Sequence, residues 1–106
     1  ELLGNEELAA PHLIDSEVTH VLRGLELRGV LSAERASLAF QGFISLSLTR
    51  YPADWLRPRM WALRHNLRGY DATYVALAEL TGASALLTTD ARLANAPGIL
   101  CPVQLL

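Results

Sequence analysis

Tyr70-Asp71-Ala72-Thr73-Tyr74-Val75-Ala76-Leu77-Ala78-Glu79, followed by Leu86-Leu87-Thr88-Thr89-Asp90-Ala91-Arg92-Leu93, is the stretch that decides the fold. The first segment reads as an apolar helix over Tyr70 to Leu80, stopped by Thr81-Gly82. The second reads as a short buried strand, Ala85 to Thr88, then a short helix from Asp90 to Asn95 that Pro97-Gly98 closes. One carboxylate thus opens a helix and a second follows a strand. Parallel α/β sheets place their sites there, at the carboxyl ends of the strands. Asp71 shares a stripe with Val75 and Ala78, at i+4 and i+7, so its carboxylate is directed toward a core face and needs a partner.

Working outward, the rest of the chain alternates in the same way. Leu8-Ala9-Ala10-Pro11 reads as a short strand. Leu13 to Arg28 reads as a helix with Leu13, Val18, Val21, Leu22 and Leu25 at helical spacing, Asp15 or Ser16 as its cap and Gly29 as its stop. Glu17 lies at the head of that helix and shares a stripe with Val21 and Gly24. Ser32 caps a second helix running to about Phe43. Ile44 to Thr49 alternates apolar and polar residues, a strand signature. Asp54 begins a further helix toward Asn66, in which Pro58 is harmless only within the first turn. Asn66 to Gly69 reads as a turn, and Val103-Gln104-Leu105 as a last edge strand. Strands alternating with helices imply an α/β fold with a parallel sheet. At 106 residues there is room for one small domain, with no repeat, linker or low-complexity tract.

Composition narrows the function. A hydrophobic fraction of 51% supplies a core, and a formal charge of −2 argues against a broad basic surface for nucleic acid. A metal ion can supply the positive charge that phosphate needs. All nine basic residues are arginine, whose planar fork suits phosphate. Arg57, Arg59, Arg64 and Arg68 lie just before Asp71, either as a solvated helix face or as a phosphate-binding rim. Trp55 and Trp61 read as core or interface residues rather than as a platform for bases. Cys101 is alone, in an apolar run, and reads as a structural thiol that fits a reducing cytoplasm. No apolar run approaches the ~20 residues of a membrane span. His12, His20 and His65 are scattered without zinc spacing, and no glycine-rich phosphate loop or CxxC is present.

Three acids remain: Glu17, Asp71 and Asp90. Singly, each suits a helix start, where a carboxylate complements the dipole or caps free N–H groups. Together they suit water-driven phosphodiester cleavage, in which Mg²⁺ both activates the nucleophile and stabilises the departing oxygen.

Two segments resemble a known family. APHLIDSEVTHVLR, Ala10 to Arg23, is similar to the first acidic helix of PIN-domain proteins of the VapC toxin type. HNLRGYDATYVALAELTGASALLTTDARLANAPG, His65 to Gly98, is similar to the second half of that family. The resemblance implies a three-layer α/β/α sandwich with a central, mostly parallel sheet, formed by residues 1–106 as a single PIN-like domain. It also implies a metal-dependent endoribonuclease toxin using Mg²⁺ or Mn²⁺, held as a homodimer and neutralised by a VapB-like antitoxin in the cytoplasm. Glu17, Asp71 and Asp90 match the second, third and fourth acids of the family's quartet. Thr88 or Thr89 matches its water-orienting hydroxyl, although end-of-strand and capping duty is the simpler reading of both. Arg64 and Arg68 would steer RNA. The family's first strand, ending in aspartate, has no match: Leu2-Leu3-Gly4 resembles the end of the helix that follows it, and Glu1, Glu6 and Glu7 are not its acid. Losing a central strand would expose edges and apolar faces. The expectation is therefore an incompletely represented chain rather than a shortened, non-catalytic paralogue that binds an antitoxin or partner subunit.

Overall fold

The computed structural model describes residues 7–106, so the readings placed on Glu1, Leu2–Gly4 and Glu6 lie outside the described residues. The chain divides into two compact units, residues 1–50 and 51–106.

In the N-terminal unit, β1 (Ala9–Pro11) leads into α1 (Leu13–Leu27), and α2 (Ala33–Ser45) leads to β2 (Thr49–Tyr51), which pairs with β1. The Thr49 N–H donates to the Leu8 carbonyl at 2.9 Å. Helix α1 starts at Leu13, as its spacing implied, so Asp15 and Ser16 lie within the helix rather than at its cap, and His12 makes no side-chain cap. The Asp15 carboxylate, in the first turn, is taken by Arg50: Nε and Nη2 donate to Oδ2 and Oδ1, both at 2.7 Å. The same guanidinium lies 5.9 Å from the Phe43 ring centre. Gly29, at φ +74°, ends the helix as expected. The Val30 N–H reaches the Leu25 carbonyl and the Gly29 N–H reaches the Glu26 carbonyl, which satisfies two terminal carbonyls through a left-handed residue.

Ser32 caps α2 by accepting from the Arg35 N–H at 3.1 Å. The strand expected over Ile44–Thr49 is a correction: α2 continues to Ser45, and extended pairing starts only at Thr49. Alternation over six residues did not stop a helix already propagating, and it does not bury a face, since Ile44 and Leu46 are exposed. The stripe that carries Glu17 likewise differs from expectation. No residue of α1 is fully buried, and Val21 is 55% exposed.

In the C-terminal unit a 3₁₀ turn at Asp54–Leu56 runs into α3 (Arg57–Ala62), with Pro58 in its first turn, where no N–H is missed. Then come α4 (Gly69–Thr81), β3 (Leu86–Thr88), α5 (Ala91–Ala94) and β4 (Val103–Leu105). Strands β3 and β4 pair in parallel, Leu86 opposite Val103 and Thr88 opposite Leu105, joined by the α5 crossover. This is the α/β arrangement the alternation implied. Helix α4 is the spine, with Ala72, Thr73, Val75, Ala76, Leu77 and Ala78 buried, and Gly82 at φ +68° closes it.

Two core clusters share that spine. Leu63, Ala72, Val75 and Leu93 form one, with Met60, Leu67, Leu86 and Ile99 packed against it. Leu56, Ala76 and Leu77 form the other, covered by Tyr51 and Met60. Neither tryptophan is core: Trp55 donates Nε1–H to the Pro52 carbonyl and tilts against Tyr51, and Trp61 is 69% exposed.

Candidate functional site

The first cluster sets the positions of two of the three acids. Asp71 precedes Ala72 in the first turn of α4, and Asp90 stands three residues before Leu93, at the end of β3. Ala72 and Leu93 are both buried in that cluster, so one packed unit carries Asp71 and Asp90. Glu17 belongs to α1, in the other unit, where it is half-buried.

The surroundings of the two carboxylates differ. Asp90 is the N-cap of α5: its Oδ1 accepts from the Arg92 N–H at 2.9 Å, and the Arg92 Nε stands 3.6 Å away. Its Oδ2 has no hydrogen-bond partner among the described residues. Thr88 accepts from the Asp90 N–H at 3.0 Å, the capping duty read for it, and its hydroxyl proton remains available to another acceptor. Thr89 is exposed. Asp71 is half-buried and forms no hydrogen bond or ion pair with a described residue. It does not cap its own helix, since the N-cap Arg68 has an extended backbone and no side-chain cap forms. The stripe that predicts a buried neighbourhood for it is present: Val75 is 0% and Ala78 6% exposed.

Among the described residues no group of three or more His, Cys, Asp and Glu side chains is placed to share a metal ion. The C-terminal unit offers two hard oxygen donors in its acids, and a magnesium-type ion commonly takes only one or two protein carboxylates, filling its shell with water and phosphate.

The four arginines before Asp71 are not one rim. Arg59 Nε and Nη2 donate to Glu79 Oε1 and Oε2 at 2.6 and 3.1 Å, and Nη2 also donates to the Gly98 carbonyl at 2.8 Å. Glu79 Oε2 accepts in addition from the Leu100 N–H at 2.7 Å. Burial alone would push the Glu79 carboxyl up, but Arg59 and the Leu100 N–H together hold it below its ordinary value. Gly98 is at φ +82°, a backbone conformation that favours glycine, and a Cβ there would also lie 2.7 Å from the Asn66 amide nitrogen, which would have to swing aside. Sequence reasoning missed this clamp; the signal was Glu79 itself, an acid within an apolar helical run. Burial also pushes the Cys101 thiol up, as does the charge of Glu79, in keeping with a structural thiol. Arg57 donates to the Asp54 carbonyl. Arg64 and Arg68 are exposed and form no ion pair among the described residues.

The PIN domain family model matches residues 1–99. The chain belongs to the PIN-domain family. Its relatives there include Ribonuclease VapC9 of Mycobacterium tuberculosis, 44% identical over 103 residues, which cover 97% of this chain and 80% of that protein. Ribonuclease VapC1 of the same organism is 46% identical over 100 residues, covering 91% and 72%. Ribonuclease VapC12 is 33% identical over 103 residues, covering 97% and 79%. At such identity and coverage this PIN-domain chain is of the VapC ribonuclease type. No helix among its described residues is long and apolar enough to cross a membrane.

Proposed function

We propose that this protein is a metal-dependent endoribonuclease, the toxin of a toxin–antitoxin pair. The observation that carries the reading is Asp71: a half-buried carboxylate without a partner among the described residues, seated on the same cluster as Asp90. A carboxylate in that position is completed by a cation. Kinship with the VapC ribonucleases supports RNA as substrate.

Asp71 and Asp90 are the metal-holding carboxylates in this reading, with Glu17 as a third and Mg²⁺ or Mn²⁺ as the ion. The ion, when bound, activates water and stabilises charge on the departing oxygen. Thr88 holds the Asp90 backbone and has a hydroxyl proton to spare for orienting a water; Thr89 is the alternative for that role. Arg64 and Arg68 draw the phosphate backbone toward the acids. Residues 1–106 act as one PIN-like domain in the cytoplasm, as a homodimer restrained by a VapB-like antitoxin.

The test is RNA cleavage by the purified protein and by Asp71→Asn. The variant is expected to lose at least about a hundredfold in rate with an unchanged thermal melt, because even outer-shell partners of a metal site typically cost 10–100-fold. Chelation by EDTA should abolish wild-type cleavage, and added Mg²⁺ or Mn²⁺ restore it. Undiminished cleavage by a folded Asp71→Asn variant would overturn the assignment.

A further inference from the structure

We propose that Trp61 and Arg64 form a stacking platform that holds an unpaired base of a single-stranded RNA segment; the proposal deepens the ribonuclease reading and rests on it for the choice of nucleic acid. Trp61 is the most exposed aromatic residue among the described ones, at 69%. An indole left in water on a six-residue helix carries an apolar cost that its own unit does not relieve. Its ring is also not free to wander. The Arg64 guanidinium lies 4.4 Å from the ring centre, and Arg64 Nη1 donates to the Trp61 carbonyl at 2.8 Å, so cation and ring are fixed against each other.

Both residues are anchored from below. Met60 precedes Trp61 and packs against both core clusters. Leu63 precedes Arg64, is 1% exposed, and sits in the cluster that holds Ala72, next to Asp71. The platform and the acid therefore share one packed support. Its chemistry is that of single-strand recognition, in which an aromatic face accepts any base and an adjacent arginine takes the phosphate. Only one of the five guanidinium N–H groups of Arg64 is spent on the Trp61 carbonyl, leaving the others for phosphate oxygens. Arg68, exposed and without an ion pair among the described residues, adds positive charge on the same approach to α4. A chain of net charge −2 that keeps an uncompensated arginine on an exposed indole presents a local complement to a polyanion that carries aromatic bases.

The experiment is fluorescence anisotropy on the full chain carrying Asp71→Asn, so that RNA stays intact. The probes are a short labelled oligoadenylate and a backbone of the same length without bases. The parent is expected to bind the oligoadenylate about 5- to 100-fold more tightly than the abasic strand, the worth of one stacked base. Adding Trp61→Ala should remove that preference, Trp61→Phe should keep part of it, and Arg64→Gln should lower the salt slope by about 0.7. Trp61 is exposed, so a thermal melt should confirm an unchanged fold. Equal preference in the parent and in Trp61→Ala overturns the platform, as does absence of binding to either strand. So does a Trp61→Ala variant that binds RNA normally but changes oligomeric mass, which would make Trp61 a protein contact. The two readings fail separately. Asp71-dependent cleavage with a neutral Trp61→Ala keeps the nuclease and discards the platform; Trp61-dependent base preference without metal-dependent cleavage does the reverse.

Discussion

The molecule builds one device twice. In the N-terminal unit Arg50 grips Asp15 with two hydrogen bonds; in the C-terminal unit Arg59 grips Glu79 with two. The distances are alike and the settings are not. The side chains of the first pair are 31% and 48% exposed, and Glu79 in the second is 7% exposed. Water competes for the first and screens it. In the second, Glu79 is withdrawn from water while Arg59 is 25% exposed, so removing either partner leaves a charge that water reaches only in part. The units differ in the same sense throughout. Among described apolar residues, the N-terminal unit fully buries only Ala10, Pro11 and Ala36, while the C-terminal unit packs Leu56, Leu63, Val75 and Leu77 to 3% exposure or less. Both units carry helices and strands; among the described residues the clusters of fully buried large apolar side chains lie in the second, which carries Asp71 and Asp90.

The largest effect on stability is expected from breaking the buried device. Glu79→Ala should lower the unfolding free energy by about 3–5 kcal/mol, measured by urea denaturation. Asp15→Ala should do much less, and equal losses would erase the contrast between the pairs. Close behind, Leu63→Ala should cost about 2–5 kcal/mol, because it hollows the cluster beneath Asp71. Leu38→Ala, at a position 64% exposed, should stay within about 0.5 kcal/mol.

A smaller effect should follow pH. The Glu79 carboxyl is depressed in the folded state from its ordinary value of 4.5, so its stabilisation is complete above that pH. It is lost as pH falls through the lower folded value. Urea midpoints taken from pH 7 to pH 3 should decline below about 4.5 in the wild type, and less steeply in Glu79→Gln. Asp15 is depressed too, chiefly by its hydrogen bond from Arg50, and Asp15→Asn should flatten the same profile by a smaller amount.

What the sequence made legible follows from this division. Helix α4, its Gly82 stop, strand β3 and the Asp90 cap stand where their periodicity and end signals place them, because local preference and burial agree there. Ile44 to Thr49 misled because its alternation had no core face to answer to, and the helix begun at Ser32 ran on. The start of α1 at Leu13 was legible from its spacing, but its cap was not: Asp15, an apparent cap, lies inside the first turn and bonds an arginine 35 positions away. For the same reason the four arginines before Asp71 looked alike: spacing marks charge density, and only the fold tells which cation is spent on Glu79 and which on an indole. Trp61 reads as a core or interface residue, and the core half of that reading fails; its exposure is set by helix phase relative to Met60 and Leu63, which a six-residue helix with a proline near its start does not declare.

The Leu100 amide gives the clamp a reporter. Leu100 lies outside every helix and strand and is 79% exposed, yet its N–H is held by a carboxylate oxygen of Glu79. Nothing in the backbone ladder protects that proton. Its exchange with deuterium therefore counts the moments when Glu79 lets go, and the peptide spanning Gly98 to Cys101 would time the opening of the loop from α4, long before the unit as a whole unfolds.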